Sequence, residues 1–254
     1  MQDRSSTNAF GHKLESFGAL TSGDLEALAA LTADAQSVGP HCDLVHEGEP
    51  CDTVVVVLRG FACRYRLLAG GQRQITAYLV PGDFFGLQDG ALSVSTSAVG
   101  TLTPCTVAQV PRDAVLALGR RHPAIGRALR SAVIADEAVL QEWLVNVGRR
   151  TAYQRIGHLL CELLVRMRAI GAAQGNGYDL RLTQYDIGDT TALSVVHVNR
   201  TLQQLRGEGL IRWDRRRVEI PDPARLAAAA LFDPAYLHVE HPVAEAAGDQ
   251  RLIA

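Results

Sequence analysis

Leu182-Thr-Gln-Tyr-Asp-Ile-Gly-Asp-Thr-Thr-Ala-Leu-Ser-Val-Val-His-Val-Asn-Arg-Thr-Leu-Gln-Gln-Leu-Arg206 reads as two short helices around a tight turn. Thr183 with Asp186 three residues later has the spacing of a capping box, with Asp in place of the usual Glu. Ser194 is a favourable N-cap for the second helix, because its hydroxyl can accept an orphan N–H of the first turn. Val195, Val198, Leu202 and Leu205 share one face at helical spacing and are expected to pack inward. Val196, His197, Asn199, Arg200, Gln203 and Gln204 are left facing out. Such a face suits the major groove of DNA, where Arg bonds bidentately to guanine and Asn or Gln to adenine, and an apolar side chain meets a thymine methyl. Val196, His197, Asn199 and Arg200 are the expected base readers, with Thr183 and Ser194 reaching phosphate from the helix N-termini.

Downstream, Gly207-Glu-Gly209 breaks the helical period, and apolar runs at 210–213 and 218–220 flank Asp214-Arg-Arg-Arg217. This is the pattern of a β-hairpin with a basic tip, so Arg215, Arg216 and Arg217 are expected on phosphate and not on bases. The charge distribution agrees. The 254-residue chain has a net charge of −2, but residues 149–217 carry 12 Arg against 6 acidic residues, or +6, while residues 1–148 and 218–254 each come to −4. A basic island between acidic segments indicates a polyanion partner, here double-stranded DNA.

The N-terminal half has another texture. Gly48, Gly60, Gly70, Gly71, Gly82 and Gly86 punctuate short Val-, Leu- and Tyr-rich runs at 53–58, 61–68, 74–80, 97–102 and 105–110. Regular short strands between glycine turns indicate an antiparallel β-roll, or jelly roll. Before it, Thr21-Ser-Gly-Asp24 caps a helix carrying Leu25, Leu28 and Leu31. After it the period turns helical from Arg112, and His122-Pro123 opens a long helix. Leu129, Val133, Asp136, Leu140, Trp143 and Val147 follow at alternating steps of four and three, a heptad-like seam. Such a seam either packs a helix on its own roll or joins two copies. Its length and its place between two domains favour a homodimer interface at Leu129, Val133, Leu140, Trp143 and Val147.

Gly148 and Arg149-Arg150 end that helix, and the next buries Tyr153, Ile156, Leu160, Leu163, Met167 and Ile170. Residues 171–177 read as a flexible connector or turn, and the alanine run at 227–230 fits a short helix after Pro223. The expected class is α+β: an N-terminal segment (1–20), a β-roll (21–121), a dimerisation helix (122–147), a winged helix–turn–helix (148–221) and a C-terminal helix with its tail (222–254).

With 47% hydrophobic and 20% charged residues the composition is that of an ordinary globular protein. No apolar run approaches the ~20 residues of a membrane helix, and Met1-Gln-Asp-Arg opens no signal peptide, so a cytoplasmic location without a membrane partner is expected. The cysteines at 42, 51, 63, 105 and 161 form no C-x-x-C pair and are expected as reduced, packed thiols. No nucleophile–base pair, phosphate loop or metal-spaced cluster is evident. Neither an enzyme nor a cofactor or metal is expected.

With its parts in this order, the chain resembles the CRP/FNR superfamily of bacterial transcription regulators across residues 24–220. Glu47-Gly-Glu-Pro-Cys-Asp-Thr-Val-Val-Val-Val-Leu-Arg-Gly60 resembles the start of that family's β-roll, and Pro81-Gly-Asp-Phe-Phe-Gly86 the turn before its effector cassette. Residues 182–211 resemble its DNA-binding motif. The resemblance implies a homodimer on a near-palindromic operator, with RNA polymerase as a second partner. The alternative is a small-molecule-binding roll whose C-terminal domain contacts protein; the basic charge of 149–217 favours DNA.

Three departures from the family shape the expectation. Cyclic-nucleotide-binding members hold phosphate with a Gly-Glu-Leu turn and an Arg-Ser pair; here Leu87-Gln-Asp-Gly90 follows Gly86, and Thr96-Ser97 stands at the pair. A phosphodiester site without its cation is poor, so cyclic AMP is not the expected effector. The oxygen-sensing branch ligates iron–sulfur with N-terminal cysteines, and the first 41 residues hold none. The Arg-Glu readers of the cyclic-AMP branch correspond to Val195 and Val196, and Arg200 alone keeps its type, so the operator should differ.

Overall fold

A computed structural model describes residues 8–50, 52–87 and 94–238. Asn8 caps α1 (Ala9–Glu15), and Thr21 caps α2 (Ser22–Leu31) through a complete capping box with Asp24. The boundary expected at residue 20 does not set α1 apart from the roll. Phe10 and Leu14 of α1 are fully buried in the roll's helix-side core, and Phe10 meets Phe84 edge-on at 5.7 Å. Gly82 (φ +94°) permits that docking, since a Cβ there would lie 2.4 Å from the Ala9 carbonyl oxygen.

Among the described residues eight strands follow: β1 (Gln36–Val38), β2 (Asp43–Val45), β3 (Thr53–Arg59), β4 (Ala62–Leu67), β5 (Arg73–Leu79), β6 (Phe84–Phe85), β7 (Ala98–Thr101) and β8 (Cys105–Pro111). They form two antiparallel sheets, ordered β1-β8-β3-β6 and β2-β7-β4-β5. β3 explains the unbroken valine run. Val54 and Val56 face the helices, Val57 faces the space between the sheets, and all are fully buried. A β-branched residue suits every position of a strand covered on both faces.

Two helices connect the halves, α3 (Arg112–Arg121) and α4 (Pro123–Arg149), and α5 (Ala152–Ala169) starts from a capping box of Thr151 with Gln154. The C-terminal domain continues as β9 (Ala173–Gln174), β10 (Gly177–Asp179), α6 (Gln184–Thr191), α7 (Val195–Gly207), β11 (Arg212–Asp214), β12 (Arg217–Glu219), α8 (Pro223–Ala230) and a 3-10 turn (Pro234–Leu237). Residues 171–177, expected as a flexible connector or turn, turn at 175–176 and supply most of a hairpin that extends the wing into a sheet β11-β12-β10-β9. Tyr178 accounts for it: fully buried, it donates its hydroxyl to the Leu160 carbonyl of α5 at 2.9 Å.

α4 corrects the expected seam. Leu129 lies in the roll's core, and Trp143 lies in the core between the domains, donating its indole N–H to Glu162 at 2.7 Å. Asp136 holds Arg64 of β4 at 3.0 Å. Leu129 and Trp143 are therefore committed within their own chain. The outward face carries Val133, Leu140, Leu144 and Val147, flanked by Ile134; Leu144 is 74% exposed, Ile134 62% and Leu140 43%. A heptad pattern specifies which residues share a face, not whether the facing partner is the same chain or another.

The two halves share one apolar core. Phe61, Ile75 and Tyr78 of the roll, Val139 and Trp143 of α4, and Leu202 and Leu205 of α7 join the apolar residues of α5 in one buried cluster. A buried ion network crosses the same junction. Arg166 of α5 bonds to Asp83 at 2.6 Å, to the Tyr78 carbonyl at 2.8 Å and to Glu162 at 3.1 Å, while Lys13 of α1 holds the other Asp83 oxygen at 3.0 Å.

Candidate nucleic-acid interface

α6 begins where the sequence places it. The Thr183 hydroxyl donates to Asp186 Oδ2 at 2.6 Å and accepts from the Asp186 N–H at 3.1 Å, and the Thr183 N–H returns to Oδ2 at 2.9 Å. Thr183, expected on phosphate, is thus occupied by its own cap. The other Asp186 oxygen receives Arg73 of β5 at 2.7 Å, and the same guanidinium reaches Asp189 at 2.7 Å. The first helix of the motif is thereby pinned to the roll.

The turn into α7 is tight. Ala192 adopts the left-handed conformation (φ +54°), and the Leu193 N–H returns to the Gly188 carbonyl at 3.1 Å. Gly188 has no room for a side chain, because a Cβ would come within 2.6 Å of the Leu193 oxygen. Ser194 caps α7, accepting from the His197 N–H at 3.4 Å with its hydroxyl 3.0 Å from His197 Nδ1. Val198, Leu202 and Leu205 are buried as expected, with Thr201 beside them, and Val195 is half-buried.

The expected readers fall on one outward face. Val196 is 76% exposed, His197 and Arg200 are exposed, and Asn199 is half-buried. The Arg200 side chain makes no hydrogen bond or ion pair among the described residues. Asn199 donates its amide N–H to Gln184 Oε1 on α6 at 3.3 Å. Gln184, Val195, Val196, Asn199, Arg200 and Gln203 line an open cleft of about 370 Å³, and His197 lies outside it. Gln184 carries no periodic signal that marks it for this face; the contact arises only when the turn brings α6 across α7.

The wing divides the three arginines. Arg215, at φ +48°, and Arg216 are exposed at the tip without an internal side-chain partner among the described residues. Arg217 instead lies back over the sheet and donates to the Gln174 carbonyl of β9 at 3.1 Å. A side-chain role on phosphate is therefore open at Arg215 and Arg216 and compromised at Arg217.

Between the roll and α4 lies a separate cavity of about 480 Å³, lined among others by Arg64, Arg66, Thr96, Ser97, Asp136 and Leu140. Its arginines come from β4, which sequence comparison did not bring to this place, and both are held by acids: Arg64 by Asp136 at 3.0 Å and Arg66 by Glu47 at 2.7 Å. Thr96 supplies no charge. Cys63 and Cys161 are buried, and burial pushes each thiol up to about 12, far from a reactive thiolate. Among the described residues no cluster of three or more His, Cys, Asp or Glu is placed to hold a metal, and no helix is long and apolar enough to cross a membrane.

Comparison with known proteins identifies the class. A cyclic nucleotide-binding domain model matches residues 35–122, and a Crp-like helix-turn-helix domain model matches residues 154–229. The chain belongs to the CRP/FNR superfamily and is a DNA-binding transcription regulator of that type. It is 31% identical to the nitrogen fixation regulation protein FixK of Azorhizobium caulinodans over 72% of this chain and 74% of FixK. To the transcriptional activator protein FnrL of Cereibacter sphaeroides it is 28% identical, over 74% of this chain and 76% of FnrL. The structure of FixK2 from Bradyrhizobium japonicum matches with a TM-score of 0.66 at 26% identity, covering 76% of this chain and 95% of that one.

Proposed function

We propose that the chain works as a cytoplasmic homodimer that reads a near-palindromic operator with α7 and activates transcription through contact with RNA polymerase. The observation that carries this reading is the outward face of α7, where Arg200 stands without an internal partner beside Val196, His197 and Asn199. FnrL is named a transcriptional activator, which supports the direction of control. The unpartnered apolar stripe of Val133, Leu140, Leu144 and Val147 supports the dimer, since two copies can cover it about a twofold axis. Two recognition helices related in this way enter successive major grooves, with half-site centres ~34–36 Å apart. Any effector of the roll differs from cyclic AMP, because Thr96 brings no cation and Arg64 and Arg66 are already paired.

Arg200→Ala tests the readout. It is expected to cost ~1–3 kcal/mol on the preferred operator and to relax preference at one symmetric pair of positions. A uniform loss on every sequence would remove Arg200 from the readers. Replacing Leu140 and Leu144 together by Glu is expected to give folded monomers in sedimentation that no longer bind the palindrome. A dimer of unchanged strength would overturn the assignment of the stripe.

A further inference from the structure

We propose that Gln184, on the first helix of the motif, is a positioning residue that holds the base-reading amide of Asn199 in register. The proposal rests on the reading of α7 as the groove-facing helix and names what sets the geometry of one of its readers. Gln184 is the first residue of α6, yet it takes no part in capping, which Thr183 and Asp186 complete between themselves. Its side-chain oxygen accepts from Asn199 Nδ2 at 3.3 Å, a contact between residues fifteen apart in sequence. Both side chains are half-buried, and neither makes another side-chain hydrogen bond among the described residues.

The chemistry of a carboxamide gives the pair its consequence. Asn has two N–H donors and an oxygen acceptor. One donor is taken by Gln184, and the second donor and Oδ1 remain for the cleft that Gln184, Val196, Asn199 and Arg200 line together. One donor and one acceptor are what a bidentate contact with adenine N7 and N6 requires. A tethered Asn also surrenders less rotamer freedom when it binds, so affinity for the matching base rises without any new contact to DNA. A glutamine at a helix N-terminus would otherwise be a phosphate ligand, strengthening all sequences alike.

The test uses the full chain and the operator that the wild type selects from a random duplex pool, with each half-site position varied in turn at two salt concentrations. Gln184→Ala is expected to lose discrimination about fivefold at the base pair whose readout Asn199→Ala removes, with non-specific affinity and salt dependence unchanged. The double variant should discriminate no worse than Asn199→Ala alone, because the second change removes a support whose load is already gone. Gln184→Glu keeps an acceptor oxygen and should keep the discrimination while weakening every sequence by charge repulsion. The proposal is overturned if Gln184→Ala weakens all operators alike with a shallower salt dependence, which is the signature of a phosphate contact. Additive effects in the double variant overturn it as well. Failure of the underlying reading looks different: Arg200→Ala would leave sequence preference intact.

Discussion

α5 and α7 begin as similar stretches of sequence, apolar on one helical face and polar on the other, and they end in opposite surroundings. α5 packs among the roll, α4, α7 and α8, and three of its polar residues go inside with it: His158 and Glu162 are fully buried and Arg166 is 8% exposed. α7 buries one face and leaves the other to solvent. The two also differ in what their polar groups touch. Glu162 accepts from Trp143, Tyr236 and Arg166, and Arg166 is held by Asp83, Glu162 and a carbonyl. Arg200 has no internal partner among the described residues. Charge on a helix face does not by itself point to a partner molecule; it must also be left outside the fold, where a ligand can replace its water, as Arg200 is and Arg166 is not.

Arg166 and Arg200 offer the largest contrast between two residues of one type. Burial alone would lift the Asp83 carboxyl, but Lys13 and Arg166 hold it below its usual value, so the network favours the ionised form. Removing one member leaves a charge stranded in a low-dielectric site. Arg166→Met is expected to lower unfolding free energy by ~3–5 kcal/mol in urea titration, whereas Arg200→Ala should stay within about 0.5 kcal/mol. If Arg166→Met proved as mild as Arg200→Ala, the junction would not be held by ions.

The same contrast explains how far the sequence could be read. α7 was legible because its pattern is local: Ser194 caps, Val198, Leu202 and Leu205 pack, and the rest faces water. The roll was legible in its longer strands, while β1, β2 and β6, of two or three residues, carry too short a pattern to show. What stayed hidden depends on partners distant in sequence. Glu162 and Arg166 sit at positions that a helical wheel gives to solvent, and only Asp83, Trp143 and Tyr236 arriving from elsewhere make their burial tolerable. Trp143 read as a dimer anchor for the same reason. Of the three wing arginines, Arg217 has a contact that the sequence did not show, because β9, which receives it, lies within a stretch that reads as a connector or turn.

His158 sharpens the comparison through pH. Its ring stacks on Tyr236 at 5.8 Å and meets Phe232 edge-on at 5.0 Å, and neither ring nitrogen makes a hydrogen bond within the described residues. Glu142 lies 3.3 Å from Nε2 but is engaged by Arg150 at 2.6 Å. Burial, aided by the Arg150 charge, pushes the imidazole down from 6.5 to about 3. In the unfolded chain the ring takes up a proton as pH falls through its ordinary value; in the folded chain it resists until about 3. The unfolded state therefore binds more protons across this window, and stability falls as pH drops below about 6.5. Relative to His158→Phe, the wild type should lose ~2 kcal/mol between pH 7 and pH 5 in denaturant titrations. Parallel profiles for the two proteins would show that the ring is hydrated or charged in the fold.

The smallest effect separates two neighbours on the wing. Arg216 projects from the tip with no internal side-chain partner, while Arg217 is held by the Gln174 carbonyl at 3.1 Å. A guanidinium that touches only phosphate displaces condensed counterions and adds to the salt dependence of binding without favouring any base. Arg216→Ala is therefore expected to cost about 1 kcal/mol or less in DNA affinity at moderate salt. It should lower the slope of log K against log salt by about one per protomer, equally for operator and random duplex. Arg217→Ala should act on the fold instead, loosening the β9–β10 hairpin by about 1 kcal/mol, the net worth of one hydrogen bond, with the salt slope preserved. Titrations of both variants at several salt concentrations, beside urea unfolding of each, distinguish the roles. If Arg217→Ala flattened the salt slope as much as Arg216→Ala, its contact with β9 would be one that DNA replaces, and all three arginines would then belong to the phosphate-binding tip.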